Sequence, residues 1–186
     1  TSKAKEVLFV EMDAEDTNIH FVNTINPTDE INIIDFQYCY NGGGVGVGDF
    51  NRDNFPDLVF TGNQVSSRIY LNQGSFKFID ITEESDFTTS AWVTGVSIID
   101  INEDGWDDIY LNVGGSNCAG DCNNLLFVNQ GLNVDGTPTF KQQAHQYGLD
   151  ESEYAQQTVF FDFDIDGDLD AFILRNGNVK FDKNAP

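Results

Sequence analysis

Residues 44–60 read GVGVGDFNRDNFPDLVF, an acidic segment between two apolar runs. Two further segments align with it: residues 96–111 read VSIIDINEDGWDDIYL, and residues 158–173 read TVFFDFDIDGDLDAFI. The three acidic segments begin 51 and then 62 residues apart. This spacing is longer than that of helical repeats, which is about 33 to 47 residues, and it indicates larger supersecondary units.

Apolar residues on both sides of each acidic segment predict β-strands. Before the first segment, Val45 and Val47 alternate with glycines, and Val96 and Ile98 repeat this period of two before the second. That period predicts a strand that enters the acidic segment. The short apolar run that follows, such as residues 58–60, predicts a second, more deeply buried strand.

Two more strands are indicated in each of the first two repeats. Residues 68–74 read RIYLNQG and residues 125–131 read LLFVNQG, so each predicts a third strand that ends in an Asn-Gln-Gly turn. Residues 76–82 and 139–144 are candidates for fourth strands. Four antiparallel strands in each repeat are typical of a β-propeller blade. The sequence therefore predicts an all-β protein.

The repeats divide the chain into four parts. We expect an N-terminal segment over 1–38, a first blade over 39–90, a second over 91–150 and a partial third over 151–186. Within the first part, Leu8–Met12 can form an outer strand. About three blades leave open sheet edges, whereas propellers close with about four to eight blades. We therefore expect an incomplete propeller, a fragment of a longer protein.

The acidic segments supply oxygen atoms in a pattern that favours a divalent cation. We name them loop 1 (49–57), loop 2 (100–108) and loop 3 (162–170), and we count nine positions in each. Positions 1, 3, 5 and 9 carry ten Asp and two Asn in total. A tight loop that presents alternate oxygen side chains can wrap calcium, which takes 6 to 8 oxygen ligands. Position 6, which needs a sharp turn, is Asn54, Gly105 or Gly167.

Other metal sites fit the loops less well. An EF-hand needs a Glu at position 12, but Phe60, Leu111 and Ile173 stand there. Magnesium demands stricter octahedral geometry, and zinc favours Cys or His ligands. The alternative that the loops are only solvated acidic turns does not account for three copies in one register. The predicted sites hold up to three calcium ions, and their ligands are Asp49, Asn51, Asp53, Asp57, Asp100, Asn102, Asp104, Asp108, Asp162, Asp164, Asp166 and Asp170.

Charge limits the partners that the chain can bind. Acidic residues outnumber basic residues 31 to 9, and the formal net charge is -22. Such a molecule repels phosphate backbones, so we expect no nucleic-acid partner. No apolar run approaches the roughly 20 residues that cross a bilayer, so we expect no transmembrane span.

The three cysteines are too few for a disulfide framework. Cys118 and Cys122 lie in a glycine-rich segment and can close a small disulfide loop, with two free thiols as the alternative. A metal or redox pair fits less well, because the spacing is not C-x-x-C and no His lies nearby. Cys39 lies among aromatic residues and reads as a buried apolar side chain.

The evidence for an enzyme is weak. His20 and His145 are the two histidines, and neither lies in a recognisable nucleophile or metal motif. Adjacent carboxylates such as Asp107 and Asp108 leave a glycosidase pair open. Trp92 and Trp106 can stack on sugars, although a Trp beside a strand more often packs in a core or at its rim.

Residues 40–175 resemble the FG-GAP or VCBS-type calcium-binding repeats of integrin α-subunit propellers and of many secreted bacterial proteins. The three loops carry this resemblance, together with GGGVGVGD before loop 1 and YLNQG after it. Residues 21–83 are most similar to VCBS-repeat bacterial surface lipoproteins of the cartilage-acidic-protein type. In that family, loop positions 1, 3, 5 and 9 bind calcium, which assigns this role to the twelve residues above.

The resemblance also implies where the protein acts and how. It implies an exported protein, extracellular or on the cell surface, whose precursor is an outer-membrane lipoprotein anchored through a cysteine ahead of Thr1. We expect a non-catalytic, calcium-stabilised module that binds a protein or glycan partner, or that acts as a scaffold in a membrane complex. The alternative is a propeller domain of a carbohydrate-active enzyme.

Overall fold

Ten β-strands and very little helix form the regular structure of the residues that the computed structural model describes, which are 8–115, 122–152 and 154–176. The strands are β1 Val45–Gly48, β2 Asp57–Phe60, β3 Arg68–Asn72, β4 Phe78–Asp80, β5 Val93–Ile99, β6 Asp108–Val113, β7 Leu125–Leu132, β8 Pro138–Gln142, β9 Ala155–Phe161 and β10 Asp170–Arg175. The helices are α1 Ala14–Thr17 and a 3-10 turn at Ala144–Tyr147.

The strands form three antiparallel units in chain order. The first sheet has the order β1-β2-β3-β4, the second has β5-β6-β7-β8, and β9 pairs with β10 as a third hairpin. Within each unit, every strand pairs with the next strand in sequence; in the first sheet, for example, Val47 lies opposite Leu58 and Leu71 lies opposite Ile79. The prediction of an all-β chain with four-stranded repeats is confirmed, and the architecture is that of a fragmentary propeller.

Two hydrophobic clusters hold the units together. The larger one lies between the first and second sheets, where alternate residues such as Val59 and Ile69 of one sheet meet Ile109 and Leu111 of the other. Phe87, from the connection between the sheets, is fully buried in it. The smaller cluster packs Tyr110 and Leu126 of the second sheet against the third hairpin. Each such side chain contributes about 1.5–3 kcal/mol on burial.

The N-terminal segment differs from the prediction. Leu8–Met12 is no outer strand: residues 8–13 have no regular secondary structure, and Leu8 is 82% and Phe9 90% exposed. Alternation of apolar residues favours a strand only where a partner strand lies alongside, and this segment pairs with no described strand. Beyond α1, the chain instead runs along the outer face of the first sheet, where the Phe21 ring stacks on Phe60 with centroids 5.5 Å apart.

Amide side chains fix this segment to the connection between β2 and β3. Asn23 Nδ2 donates to Asn63 Oδ1 at 2.6 Å, and the Asn63 N–H donates to Asn23 Oδ1 at 3.0 Å. Asn26 and Gln64 exchange a similar pair of bonds at 2.6 and 3.2 Å. Both pairs join residues about 40 positions apart, so they tie the segment to the first sheet.

The outward faces of the two terminal units each carry exposed apolar side chains. Val45 and Val47 of β1 are 60% and 58% exposed. On the third hairpin, Val159, Phe161 and Phe172 lie on the face away from the smaller cluster, and all three are exposed. These two stripes lie at opposite ends of the three-unit array, because the second sheet packs between the other two units.

The remaining predictions have different outcomes. Cys39 is buried and free, as predicted. Cys122 is disulfide-bonded, and its predicted partner Cys118 lies outside the described residues. The helices of the described residues are too short to cross a bilayer, in agreement with the expected absence of a transmembrane span. The division of the chain after residues 38, 90 and 150 stays a prediction.

Candidate metal centres

The three loops share one backbone conformation. Each one leaves an inner strand, β1, β5 or β9, and its ninth residue begins the next strand. Positions 4 and 6 have positive φ angles, and this pair of left-handed residues turns each loop back on itself. The residues are Arg52 and Asn54 (58° and 67°), Glu103 and Gly105 (56° and 84°), and Ile165 and Gly167 (63° and 98°).

Backbone N–H groups hold the carboxylate at position 1 in the same way in every loop. Its two oxygens accept hydrogen bonds from the N–H groups of positions 5 and 6. The distances are 3.0 and 2.9 Å to Asp49, 3.0 and 2.7 Å to Asp100, and 3.1 and 3.1 Å to Asp162. The carboxylate at position 5 accepts in turn from the N–H of position 7. Each loop therefore orients the carboxylates of positions 1 and 5 with its own backbone.

These bonds bring the oxygens of positions 1, 3 and 5 together at the exposed surface. In loop 3, carboxylate oxygens of Asp162, Asp164 and Asp166 all lie within 4.8 Å of one another. In loops 1 and 2, position 3 is an Asn whose Nδ2 donates to the position 5 carboxylate at 2.9 Å in both cases. Loop 3 has a third carboxylate in place of that donor, so its like charges repel most strongly.

The carboxylate at position 9 is placed differently, and in loops 1 and 2 it lies inside the sheet. Asp57 and Asp108 are fully buried. One oxygen of each accepts the N–H of loop position 2, at 2.9 and 3.0 Å. The other oxygen accepts the N–H of Asn72 or Asn129 in the third strand, at 2.8 and 2.7 Å. Because a carboxylate has about four lone-pair sites, both oxygens keep capacity for a cation.

The Asn of each Asn-Gln-Gly turn completes this arrangement. Besides the N–H bond to position 9, the side-chain oxygens of Asn72 and Asn129 accept the N–H of the turn glycine at 2.9 Å. The repeated turn is visible in the sequence, but its contact with the loop is not. The hydrogen bond between loop position 9 and the third strand joins residues whose spacing follows no strand or helix period.

Burial changes the acidity of the position 9 carboxyls. It raises the pKa of Asp57 to about 6 and that of Asp108 to about 6, although two backbone N–H bonds on each act in the opposite direction. Within loop 1, the charges of Asp53 and Asp49 raise the pKa of Asp57 further. A cation close to these groups would oppose the rise, because it favours the ionised form.

A basic residue joins loop 1 to loop 2. Arg52 Nε donates to the Gly105 carbonyl at 2.8 Å, and Arg52 Nη2 donates to the Asp104 carbonyl at 2.7 Å. The guanidinium carbon lies 4.1 Å from the ring centroid of Trp106. The Asp49 N–H also donates to the Asp107 carboxylate at 2.8 Å. The role of Arg52 could not be predicted from the sequence, because nothing in the repeat identifies the residues that position 4 contacts.

The other candidates from the sequence have structural surroundings. Asp107 and Asp108, considered as a glycosidase pair, are engaged by backbone N–H groups as described above. The Trp92 ring packs edge-on against Phe36 with centroids 5.5 Å apart. His145 is 90% exposed in its side chain, and its Nδ1 lies 2.7 Å from an Asp150 oxygen.

The donor set of the loops fits a hard cation. All twelve predicted ligands are carboxylate or amide oxygens, the class that calcium prefers. Positions 1, 3 and 5 converge in each loop, whereas the position 9 carboxylates of loops 1 and 2 are buried in their sheets. Asp170 likewise accepts the Phe163 N–H at 2.8 Å and does not join the group of three carboxylates.

Comparison with known proteins identifies part of this region. A family model for an FG-GAP-like repeat matches residues 49–111, about a third of the chain. The match begins at the first residue of loop 1, contains all of loop 2 and ends within β6. No curated protein matches the chain.

Proposed function

We propose that this chain is a calcium-stabilised, non-catalytic propeller module that binds a protein or glycan partner outside the cell. The observation that carries the proposal is the common geometry of the three loops, in which backbone N–H groups hold the position 1 carboxylate and the oxygens of positions 1, 3 and 5 lie close together. The FG-GAP-like repeat over 49–111 supports the propeller part of the proposal.

The loop residues divide the work of holding an ion. Positions 1, 3 and 5 would supply exposed oxygens, and position 9 would supply one from inside the sheet. Calcium, when bound, would neutralise the charges that these loops bring together. Asp57 and Asp108 also connect loop position 2 with the third strand of the sheet. Ion binding at the loop would therefore strengthen contacts among the first three strands.

Ion binding of this kind would stabilise the folded chain. An ion that binds the folded state alone adds about 2.7 kcal/mol at a concentration of 100 times its Kd. Extracellular calcium modules have dissociation constants of about 0.1 to 1 mM. The proposed sites therefore suit a protein at the cell surface, where calcium is plentiful. A lipid anchor and membership of an outer-membrane assembly are the corresponding proposals for location.

Thermal unfolding in chelator and in calcium tests the proposal. We expect the melting temperature to be lowest in EDTA and to rise with the logarithm of calcium concentration between about 0.1 and 10 mM. The variant Asp162→Asn with Asp166→Asn should lose part of this rise. Asp135→Asn, in the exposed turn between β7 and β8, is the matched control and should keep it. Equal melting temperatures in EDTA and calcium would refute structural calcium sites.

A further inference from the structure

The molecule has two equivalent junctions between consecutive loops. Junction A lies between loops 1 and 2, and junction B lies between loops 2 and 3. They are related by the repeat, because β1 contacts β5 and β5 contacts β9. Position 4 of loop 1 contacts loop 2 in junction A. By the same repeat, position 4 of loop 2 faces loop 3 in junction B.

Junction A is filled by the chain itself. Arg52, at position 4 of loop 1, uses two nitrogens to bind carbonyls of loop 2 and lies over Trp106, at position 7. The guanidinium approaches so closely that a Cβ at Gly105 would lie 2.3 Å from Arg52 Nη2. This junction shows what such a space between loops accepts: a planar cation that donates to oxygens and stacks on a ring.

Junction B is open and acidic. Position 4 of loop 2 is Glu103, and position 7 of loop 3 is Asp168. Both line a cleft of about 330 Å³, together with Asn102. Where junction A pairs a cation with an aromatic ring, junction B therefore presents two carboxylates at the corresponding positions. Among the described residues that line the cleft, none is basic.

Apolar and aromatic groups form the rest of the cleft. Tyr147 and Leu149 come from the segment after β8, and Phe160 comes from β9. Tyr147 is 38% exposed, so part of its ring is accessible from solvent. Carboxylates beside an aromatic ring are the surroundings that a guanidinium group prefers, through charge-assisted hydrogen bonds and cation–π contact.

We infer that the cleft of junction B binds an arginine side chain of a peptide or protein partner. The inference deepens the proposed binding function and rests on it. The chain has 31 acidic against 9 basic residues, so its whole surface attracts a basic partner. The cleft of junction B, where Glu103 stands at the position that Arg52 occupies in junction A, would then hold the arginine of that partner. Arginine fits better than lysine, because a planar fork can contact two carboxylates and a ring at once.

Nuclear magnetic resonance can test this directly. We expect Nα-acetyl-arginine amide, added to the ¹⁵N-labelled 186-residue chain in calcium and about 0.15 M salt, to shift the amide signals of Glu103, Tyr147 and Asp168 in a saturable manner. The neutral analogue Nα-acetyl-citrulline amide has nearly the same shape and should leave these signals unchanged. Shifts spread over the whole acidic surface would refute the site.

Variants separate the cleft from general charge attraction. Glu103→Gln should weaken binding about tenfold, because a charge-assisted hydrogen bond is lost. Glu84→Gln, an exposed acid in the connection between the sheets, should leave the affinity unchanged. Glu103→Arg should abolish binding and keep the melting temperature, because its guanidinium would fill junction B as Arg52 fills junction A. Equal binding by Glu103→Gln and the parent chain would overturn the inference.

Two competing ligands complete the test. Equal shifts with Nα-acetyl-lysine amide would refute recognition of a guanidinium, and shifts with a neutral oligosaccharide in place of arginine would assign the cleft to a glycan. Melting curves of the same samples report on calcium separately. A chain that is stabilised by calcium but does not bind arginine loses only the cleft assignment, and a chain that binds arginine without a calcium effect loses only the calcium proposal.

Discussion

Burial divides the loop side chains into two groups, although all of them are Asp or Asn. Those at positions 1, 3 and 5 lie at the surface, and their charges cost little in water. Asp57 and Asp108 at position 9 are removed from water and are held by two backbone N–H groups each. A surface oxygen can be exchanged with modest loss, whereas the buried ones support the fold in addition to any bound ion.

Replacing the buried carboxylate should therefore cost stability even without metal. We expect Asp108→Ala to lower the free energy of unfolding by about 2–4 kcal/mol in EDTA, because the Ile101 and Asn129 N–H groups would lose their acceptors. Asp108→Asn keeps one acceptor oxygen and should cost less. Urea denaturation measures both. A loss for Asp108→Ala no larger than that for the exposed control Glu84→Ala would contradict this role.

The same carboxyls should make the metal-free protein sensitive to pH. Their pKa is about 6 in the folded chain against 3.8 for an ordinary Asp, so the folded state retains protons that the unfolded state has released. The stability that they contribute is fully present below about pH 4 and is lost as the pH rises to about 6. Urea midpoints in EDTA should fall over this window. The double variant Asp57→Asn with Asp108→Asn should show a smaller fall, and an identical slope would contradict the assignment.

At the scale of elements, Arg52 makes loops 1 and 2 into one unit. Its two hydrogen bonds and its contact with Trp106 cross from the first sheet to the second, close to the Asp49–Asp107 bond. Loop 3 has no such link from Glu103 among the described contacts. The first two sheets are therefore joined at the loops as well as in the core. The third hairpin is joined to the second sheet by the smaller cluster and by side-chain hydrogen bonds such as those of Thr94 and Asn112 to β9.

Removing Arg52 should separate the two loops without unfolding the sheets. We expect Arg52→Ala to lower the free energy of unfolding by about 1–2 kcal/mol and to change Trp106 fluorescence. Arg52→Lys should not restore the parent value, since an ammonium group cannot reproduce the planar contacts. The comparison is Arg68→Ala, which breaks a 3.6 Å surface ion pair with Asp80 and should cost less than about 1 kcal/mol. Equal losses for the two alanine variants would argue against the bridge.

The elements of this fold could be predicted because their signals are local. The period of two around Val47 and the turn residues 72–74 are both signals that span only a few residues. The loop pattern also occurs three times in the same register, so each copy supports the interpretation of the others. The path of residues 17–26 could not be predicted, since Asn23 and Asn26 meet Asn63 and Gln64 through side-chain contacts without a period. The exposed position of Leu8–Met12 could not be predicted either, because a local apolar pattern does not contain the long-range contacts that decide whether a strand forms.

At the scale of the whole molecule, the third hairpin exposes an apolar face at the end of the array. β10 has one hydrogen-bonded neighbour among the described strands, and Phe172 is 66% and Leu174 56% exposed. An open edge with such a face favours association with another sheet. The net charge of -22 opposes association of identical copies, so salt should promote it.

We expect the chain to self-associate reversibly as its concentration and the ionic strength increase. Phe172→Lys should shift light-scattering masses toward the monomer, because it places a charge in the apolar stripe of the hairpin. Val134→Lys, in the fully exposed turn between β7 and β8, adds the same charge elsewhere and should have a smaller effect. Identical masses for the two variants would show that the stripe does not drive association.

The two apolar stripes, with Val45 and Val47 at one end and Phe172 at the other, are different surfaces, and this determines the symmetry of any contact that joins them. Such a contact is head to tail. Each added copy covers one exposed stripe of its neighbour and presents an identical exposed stripe at its own far end. Copies joined in this way form a closed ring when the rotation between neighbours divides the circle, and a helical filament when it does not. A two-fold dimer, by contrast, must use one stripe against itself.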